Sequence, residues 1–132
     1  MSIPSTAATI TVNWDGSGDY TTIQAGIDAA VSGADTVVVA EGTYVENISF
    51  GGKNIILTST DPEEPNVVAA TIIDGGGVDT AVRFNGTETS DCKLLGFTIT
   101  NGYGPGDEDG GGISGAENNV TVANCIIKDN IA

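Results

Sequence analysis

The sequence predicts an all-β fold: a parallel β-helix, that is a solenoid of about three to four coils, with an α-helix capping its N-terminal end. Three observations predict it. Lys53–Thr60 (KNIILTST), Cys92–Gly102 (CKLLGFTITNG) and Val120–Asn130 (VTVANCIIKDN) repeat one pattern, short alternating apolar runs closed by Asn, Asp or Gly. Laid in register, Ile55, Cys92 and Val120 fall in one column, Leu57, Leu94 and Val122 in a second, and Val39, Ile73, Ile99 and Ile127 in a third. The third column recurs after 34, 26 and 28 residues (73−39, 99−73, 127−99), as coils with corner loops of different length require. Finally, 19 glycines with only three Phe and one Trp in 132 residues call for a core of many small aliphatic side chains, which thin repetitive packing supplies.

Taken in order, Thr9–Asn13 (TITVN) alternates, with Ile10 and Val12 on one face, and reads as a short strand. Trp14–Asp19 (WDGSGD) is a turn cluster. Thr21 then opens a helix, Gln24 completes a capping-box spacing, and Ile23, Ile27, Ala30 and Val31 form an apolar stripe that stops at Gly33. It is the one helix expected. Strands follow at Thr36–Ala40, Ile48–Phe50, Ile55–Thr58, Thr71–Ile73, Ala81–Phe84, Cys92–Leu95, Phe97–Thr100, Val120–Val122 and Cys125–Ile127, with turn-rich segments between them. A Greek-key sandwich also offers many short strands, but it leaves the columns of like residues unexplained. Coils stacked at about 4.8 Å bring like residues into line and produce an inward aliphatic ladder.

The length fits a single domain, residues 1–132, divided into an N-terminal strand and capping helix (1–35) and the coils (36–132). The amphipathic helix is placed to cover the open strand edges of the first coil. The last coil is expected to present an open face, with Cys125 and Ile127 at its edge, covered by further coils of a longer protein or by a second copy in a homodimer.

Eighteen acids against four bases (Lys53, Arg83, Lys93, Lys128) give a net charge of −14, and there is no His. Phosphate-backbone binding needs clustered Lys and Arg, so nucleic acid is excluded as a partner. The same field repels polyanions unless divalent cations bridge the two. Cys92 shares a column with Val120, so Cys125 lies five residues along the next coil, beyond the roughly 7 Å Cα separation a disulfide tolerates; both read as small buried hydrophobes. The opening MSIPSTAATITV lacks the basic and apolar regions of a signal peptide. No apolar run reaches the ~18 residues of a membrane span, so membrane insertion is not expected.

The stretch Asp15–Phe50, DGSGDYTTIQAGIDAAVSGADTVVVAEGTYVENISF, resembles the opening of the right-handed parallel β-helix proteins of the pectate-lyase-like superfamily. DGSGDYTTIQ and EGTYVENI are especially similar to the start of pectin methylesterases. TITNG, GGGIS and VTVANCIIKDN resemble the β-helix repeats of bacterial and archaeal cell-surface, adhesin-like proteins. The resemblance implies a right-handed helix and an extracellular or cell-surface setting. It does not carry the esterase chemistry across. That family uses two aspartates, an arginine and glutamines on a later sheet face, whereas GGGI stands near the first expected glutamine, the sole Arg is Arg83 in an earlier coil, and the sole Gln is Gln24 on the capping helix. Lyase members need a basic residue beside carboxylate-held calcium, and no such cluster is present in the sequence.

Four further features are candidates. Asp107, Glu108 and Asp109, in the loop Tyr103–Gly112 (YGPGDEDGGG), can share a Ca²⁺ with loop carbonyls, or form a solvated loop tip. Asp15, Ser17 and Asp19 have the alternate spacing of a calcium loop without its closing Glu, and read as the turn before the helix. Tyr103 is the aromatic expected to face solvent and stack on a sugar ring, while Tyr44 in EGTY packs inside and Trp14 and Tyr20 staple the cap. Asn47, Asn85 and Asn119 begin N-x-S/T triplets but suit β-helix corners. The expected function is therefore a non-catalytic structural or adhesive module of a secreted or surface protein, self-associating or continued through its last coil at Cys125 and Ile127. The alternatives are the N-terminal part of a carbohydrate-active enzyme, a polysaccharide lyase or esterase relative, and a calcium-dependent polysaccharide-binding module.

Overall fold

The computed structural model describes residues 7–33, 35–104, 111–115 and 120–131. Its elements are β1 (Thr9–Val12), α1 (Ile23–Ala29), β2 (Thr36–Val39), β3 (Gly42–Val45), β4 (Ile48–Ser49), β5 (Ile56–Ser59), α2 (Pro65–Ala70), β6 (Thr71–Asp74), β7 (Val82–Arg83), β8 (Lys93–Leu95), β9 (Thr98–Thr100), β10 (Ile113–Ser114), β11 (Thr121–Ala123) and β12 (Ile126–Ile127). They form three sheets, ordered β1-β2-β5-β8-β11, β3-β6-β9-β12 and β4-β7-β10. Every pairing of these strands is parallel. From β2 onward the chain visits the first, second and third sheet in the same order, round after round.

Register fixes which residues stack. Ile10, Val37, Leu57, Leu94 and Val122 form one column of the first sheet, so the column predicted from Leu57, Leu94 and Val122 extends upward through two more strands. In the second sheet Ile73, Ile99 and Ile127 stack as predicted, but the head of that column is Tyr44. Val39 instead pairs with Ser59 in the first sheet. With Tyr44 at its head the column recurs after 29, 26 and 28 residues (73−44, 99−73, 127−99), a more even repeat than Val39 gave.

Alternation does the rest. In β2 and β5 every second side chain is buried and its neighbours half-buried. The inward residues of all three sheets, among them Val37, Leu57, Leu94, Tyr44, Ile73, Ile99, Ile48 and Val82, belong to one hydrophobic cluster. Each fully buried Leu or Ile contributes about 2–3 kcal/mol relative to exposure. After β4 and after β7, Phe50 and Phe84 stack with ring centroids 4.6 Å apart, an offset pair that adds about 1 kcal/mol.

The helix α1 packs on β1, β2 and β4 and is held there by polar groups of the chain that follows it. Its cap is Thr22, whose side chain accepts from the Ala25 N–H, one residue later than the capping box placed it. The Glu46 carboxylate accepts from the N–H groups of Ile23 and Gln24 at 2.8 and 3.0 Å. At the other end Lys53 Nζ donates to the carbonyls of Ile27, Asp28 and Ala30 at 3.0, 2.9 and 2.9 Å. Anion at the N-terminus and cation at the C-terminus both complement the helix dipole. Between them Gln24 is occupied, accepting from Ser49 N–H (2.8 Å) and donating to the Ser49 carbonyl (3.1 Å). Gly26 permits the close approach: a Cβ there would lie 2.8 Å from Val12 Cγ2. Ile23, Ile27 and Ala30 are buried as the stripe requires, while Val31 is 60% exposed and lies outside it.

Three elements depart from the sequence reading, one of them β10, a strand where none was expected. A second helix, α2, sits between β5 and β6 in the longest excursion that links the first sheet to the second, with Glu64 as cap and Pro65 in its first turn. It packs on β6 and β9, and Thr98 Oγ1 donates to the Val68 carbonyl at 2.9 Å. The EGTY segment, expected as a turn, is strand β3: Tyr44 is buried and its hydroxyl donates to the Ala40 carbonyl at 2.9 Å.

Candidate functional site

The feature that stands apart is the contrast between the two ends of the sheets. At the β1 end the core is covered by α1. At the other end β10, β11 and β12 each have a partner strand on one side only, among the described residues. Inward columns that are fully buried at Leu57, Leu94, Ile73 and Ile99 reach half-buried Val122 and 52%-exposed Ile127 there. Ile126 and Ile131 are exposed beside them, and Val120, Val122 and Cys125 pack partly buried against the core. Of the two edge residues named from the sequence, Cys125 is half-buried and Ile127 is exposed. Lys128 and Asp129 are the charged residues among the described residues 111–115 and 120–131.

Cys125 is a free, half-buried thiol. Its Sγ lies 3.4 Å from the Ala123 carbonyl and 3.8 Å from that of Leu94, and burial pushes its pKa up. Cys92, free and fully buried, is pushed up to about 11 by the same cause. Both are protonated thiols at neutral pH, not nucleophiles. A groove of about 360 Å³ adjoins the open end, between Pro62, Glu63, Pro65 and Val68 on the α2 excursion and Asn124, Cys125 and Ile126. Its walls are mainly apolar. It was invisible in the sequence because α2 was.

The remaining candidates do not assemble into one site. Asp107, Glu108 and Asp109 lie outside the described residues. Among those described, no group of three or more Asp, Glu, Cys or His side chains is placed to hold a metal ion. Asp15 and Asp19 serve their turn: Asp15 Oδ1 accepts from the Ser17 N–H at 2.8 Å, and Asp19 Oδ2 accepts from the Thr11 N–H at 3.0 Å. Tyr103 is 37% exposed and forms a parallel bridge with Ile131. Trp14, expected to staple the cap, is instead 63% exposed, with its indole against Gly42. Tyr20 is as exposed as Tyr103, and these aromatics belong to opposite ends of the molecule. Arg83 is engaged by Asp79 at 3.2 Å, both side chains half-exposed. Asn47 fills a corner, donating to the carbonyls of Gly75, Asp79 and Thr80.

Sequence reasoning missed two buried carboxylates that act structurally. Glu88 is 3% exposed. Its oxygens accept from the N–H groups of Gly52, Asn85 and Gly86 at 2.9, 2.9 and 3.0 Å. Burial alone would raise its pKa, but these amides together outweigh it and hold the carboxyl below its ordinary range. Asp35 is likewise lowered, by the N–H groups of Val31 and Ala8, which it accepts at 2.8 and 2.9 Å, so that it ties the end of α1 to the start of β1.

Comparison with protein-family models, with curated proteins and with solved structures finds no match to this chain. Among the described residues, no helix is long and apolar enough to cross a membrane.

Proposed function

We propose that this chain is the capped N-terminal part of a right-handed parallel β-helix of the pectate-lyase-like kind, and that it serves as a non-catalytic structural or adhesive module of a secreted or cell-surface protein. Its open end receives further β structure, as added coils or a second copy. The observation that carries this reading is the asymmetry of the ends: a helix clamped by Glu46, Gln24 and Lys53 over one, and the half-exposed continuation of the core columns at Val122 and Ile127 on the other. Three parallel sheets visited in constant order support stacked coils, and each coil adds to the last by the same backbone pairing and column packing. A surface that repeats this interior chemistry is complementary to another coil. Burying it is favourable for the reason the inner coils are stable. The test is sedimentation equilibrium of this chain over a wide concentration range. Association that deepens with concentration supports the open end as a joining surface. A monomer at every concentration removes self-association from the proposal.

A further inference from the structure

Three Asn-x-Ser/Thr triplets, the acceptor sequence for N-linked oligosaccharide in secreted chains, occur in this sequence: Asn47-Ile48-Ser49, Asn85-Gly86-Thr87 and Asn119-Val120-Thr121. The last begins outside the described residues. Asn47 and Asn85 are both exposed, so exposure does not separate them. The work done by each side-chain nitrogen does. Asn47 Nδ2 donates to the carbonyls of Gly75, Asp79 and Thr80 at 2.9, 3.2 and 3.1 Å, tying its corner to the next round. Ser49, which closes that triplet, is bound through both backbone groups to Gln24. A sugar on the Asn47 nitrogen would replace a hydrogen that the corner uses.

Asn85 is arranged the other way round. It stands in the corner loop after β7 with its Oδ1 turned back onto the chain, accepting from the Thr87 N–H at 2.9 Å and the Thr87 hydroxyl at 2.7 Å, a local turn typical of Asn. Among the described residues its Nδ2 donates to none. Buried Glu88 holds the loop in this shape from beneath, accepting from the N–H groups of Asn85 and Gly86 and, in the corner of the round before, of Gly52. Gly52 also leaves the amide uncovered: a Cβ there would lie 3.0 Å from Asn85 Nδ2 and 2.6 Å from Thr87 Oγ1. We propose that Asn85 is an N-glycosylation site that takes an oligosaccharide from a lipid-linked pyrophosphate donor. The inference rests on the secreted or cell-surface setting proposed above. In the transfer, Nδ2 forms a C–N bond to the anomeric carbon and the bond from that carbon to the pyrophosphate oxygen breaks. The nitrogen gives a proton to a base of the transferase, and the lipid pyrophosphate leaves with the electron pair. A bulky, hydrated chain suits a surface loop, and at Asn85 the modified nitrogen holds no part of the fold together.

The folded natural chain, incubated with a purified single-subunit oligosaccharyltransferase and its lipid-pyrophosphate oligosaccharide, tests the site. Peptide masses are read after peptide N-glycosidase, which converts a glycosylated Asn to Asp. Asn85 is expected to carry the sugar and Asn47 to remain bare, although synthetic peptides spanning 45–51 and 83–89, free of the fold, should both be accepted. Thr87→Ser should keep the modification, and Thr87→Ala and Asn85→Gln should lose it with unchanged circular dichroism. The glycosylated chain should melt with the unmodified one. An Asn85 that stays bare, whether or not its peptide is accepted, or a preference for Asn47 in the folded chain, overturns the site and leaves the structural-module reading intact. The setting is tested separately, by recovery of the protein from outside the cells that make it; a chain confined within them overturns use of the site there, whatever the transferase does with purified protein.

Discussion

Replacing Lys53 by Met tests the idea that the capping helix is held by the round beneath it. The exchange keeps an unbranched apolar stem and removes an ammonium that donates to three carbonyls at the end of α1, at 2.9–3.0 Å. A hydrogen bond to a charged donor contributes about 1.5–3 kcal/mol. The three share one charge and are partly open to water, so they do not add. The interaction with the helix C-terminus contributes about 0.3–1 kcal/mol more. A helix of seven residues has little stability of its own, so its hold on β1, β2 and β4 depends on such ties. The expected loss is about 2 kcal/mol by urea denaturation, or roughly 6–10 °C in Tm for a chain of this size. Amide exchange should accelerate in α1 and β1 before β5 or β8. A stability within about 0.5 kcal/mol of the natural chain, the scale of an ordinary surface change, with α1 exchange unaltered, would refute the clamp.

Four further outcomes are expected. Ser59→Ala should stabilise the fold by about 1 kcal/mol in denaturant titration, because Ser59 Oγ is buried without a hydrogen-bond partner among the described residues and an unpaired buried hydroxyl costs about 1–3 kcal/mol. Gly96→Ala should destabilise it by more than about 2 kcal/mol: the φ of +79° is unsuited to a side chain, and the added Cβ would fall 2.5 Å from Pro62 Cα. Glu88 and Asp35 are held below their unfolded pKa values, about 4.3 and 3.9. Their contribution is therefore complete above those values and is lost as pH falls below them toward the folded pKa. Tm followed through that window should drop, and Glu88→Gln, less stable at neutral pH, should drop less steeply. Glu46→Ala should cost about 1–2 kcal/mol, the usual worth of a helix N-terminal cap, and a double-mutant cycle with Lys53→Met should show coupling, since both hold the same short helix.

The repeat was legible in the sequence wherever it was carried by aliphatic alternation. Leu57, Leu94 and Val122 align in the structure as their spacing implied, because one face of each strand is buried and a slip by one residue would turn it outward. Val39 was misplaced because a column judged by residue type alone cannot tell two sheets apart; Tyr44, buried in a segment that begins with Gly, heads the column instead. The strand β3 hid behind Gly42, and β10 behind its flanking glycines. The helix α2 is only six residues long and opens on Pro65, too short for a 3.6-residue period to declare itself. The Glu46 and Lys53 contacts span 22 to 26 residues along the chain, a separation that only the stacking of rounds makes short. For the candidate site, Ile127 was legible as the last residue of its column, whereas the groove under α2 depends on an excursion outside the repeat.

Hydrogen exchange resolved to single amides, at two protein concentrations, is the most direct test of a stack with one clamped and one open end. In dilute solution the amides of β2 and β5 are expected to exchange slowest and those of β11 and β12 fastest, and raising the concentration should slow β11 and β12 selectively. If β11 and β12 are as protected as β5 in dilute solution, or if concentration slows β1 and α1 instead, the open end is not where these three sheets are joined.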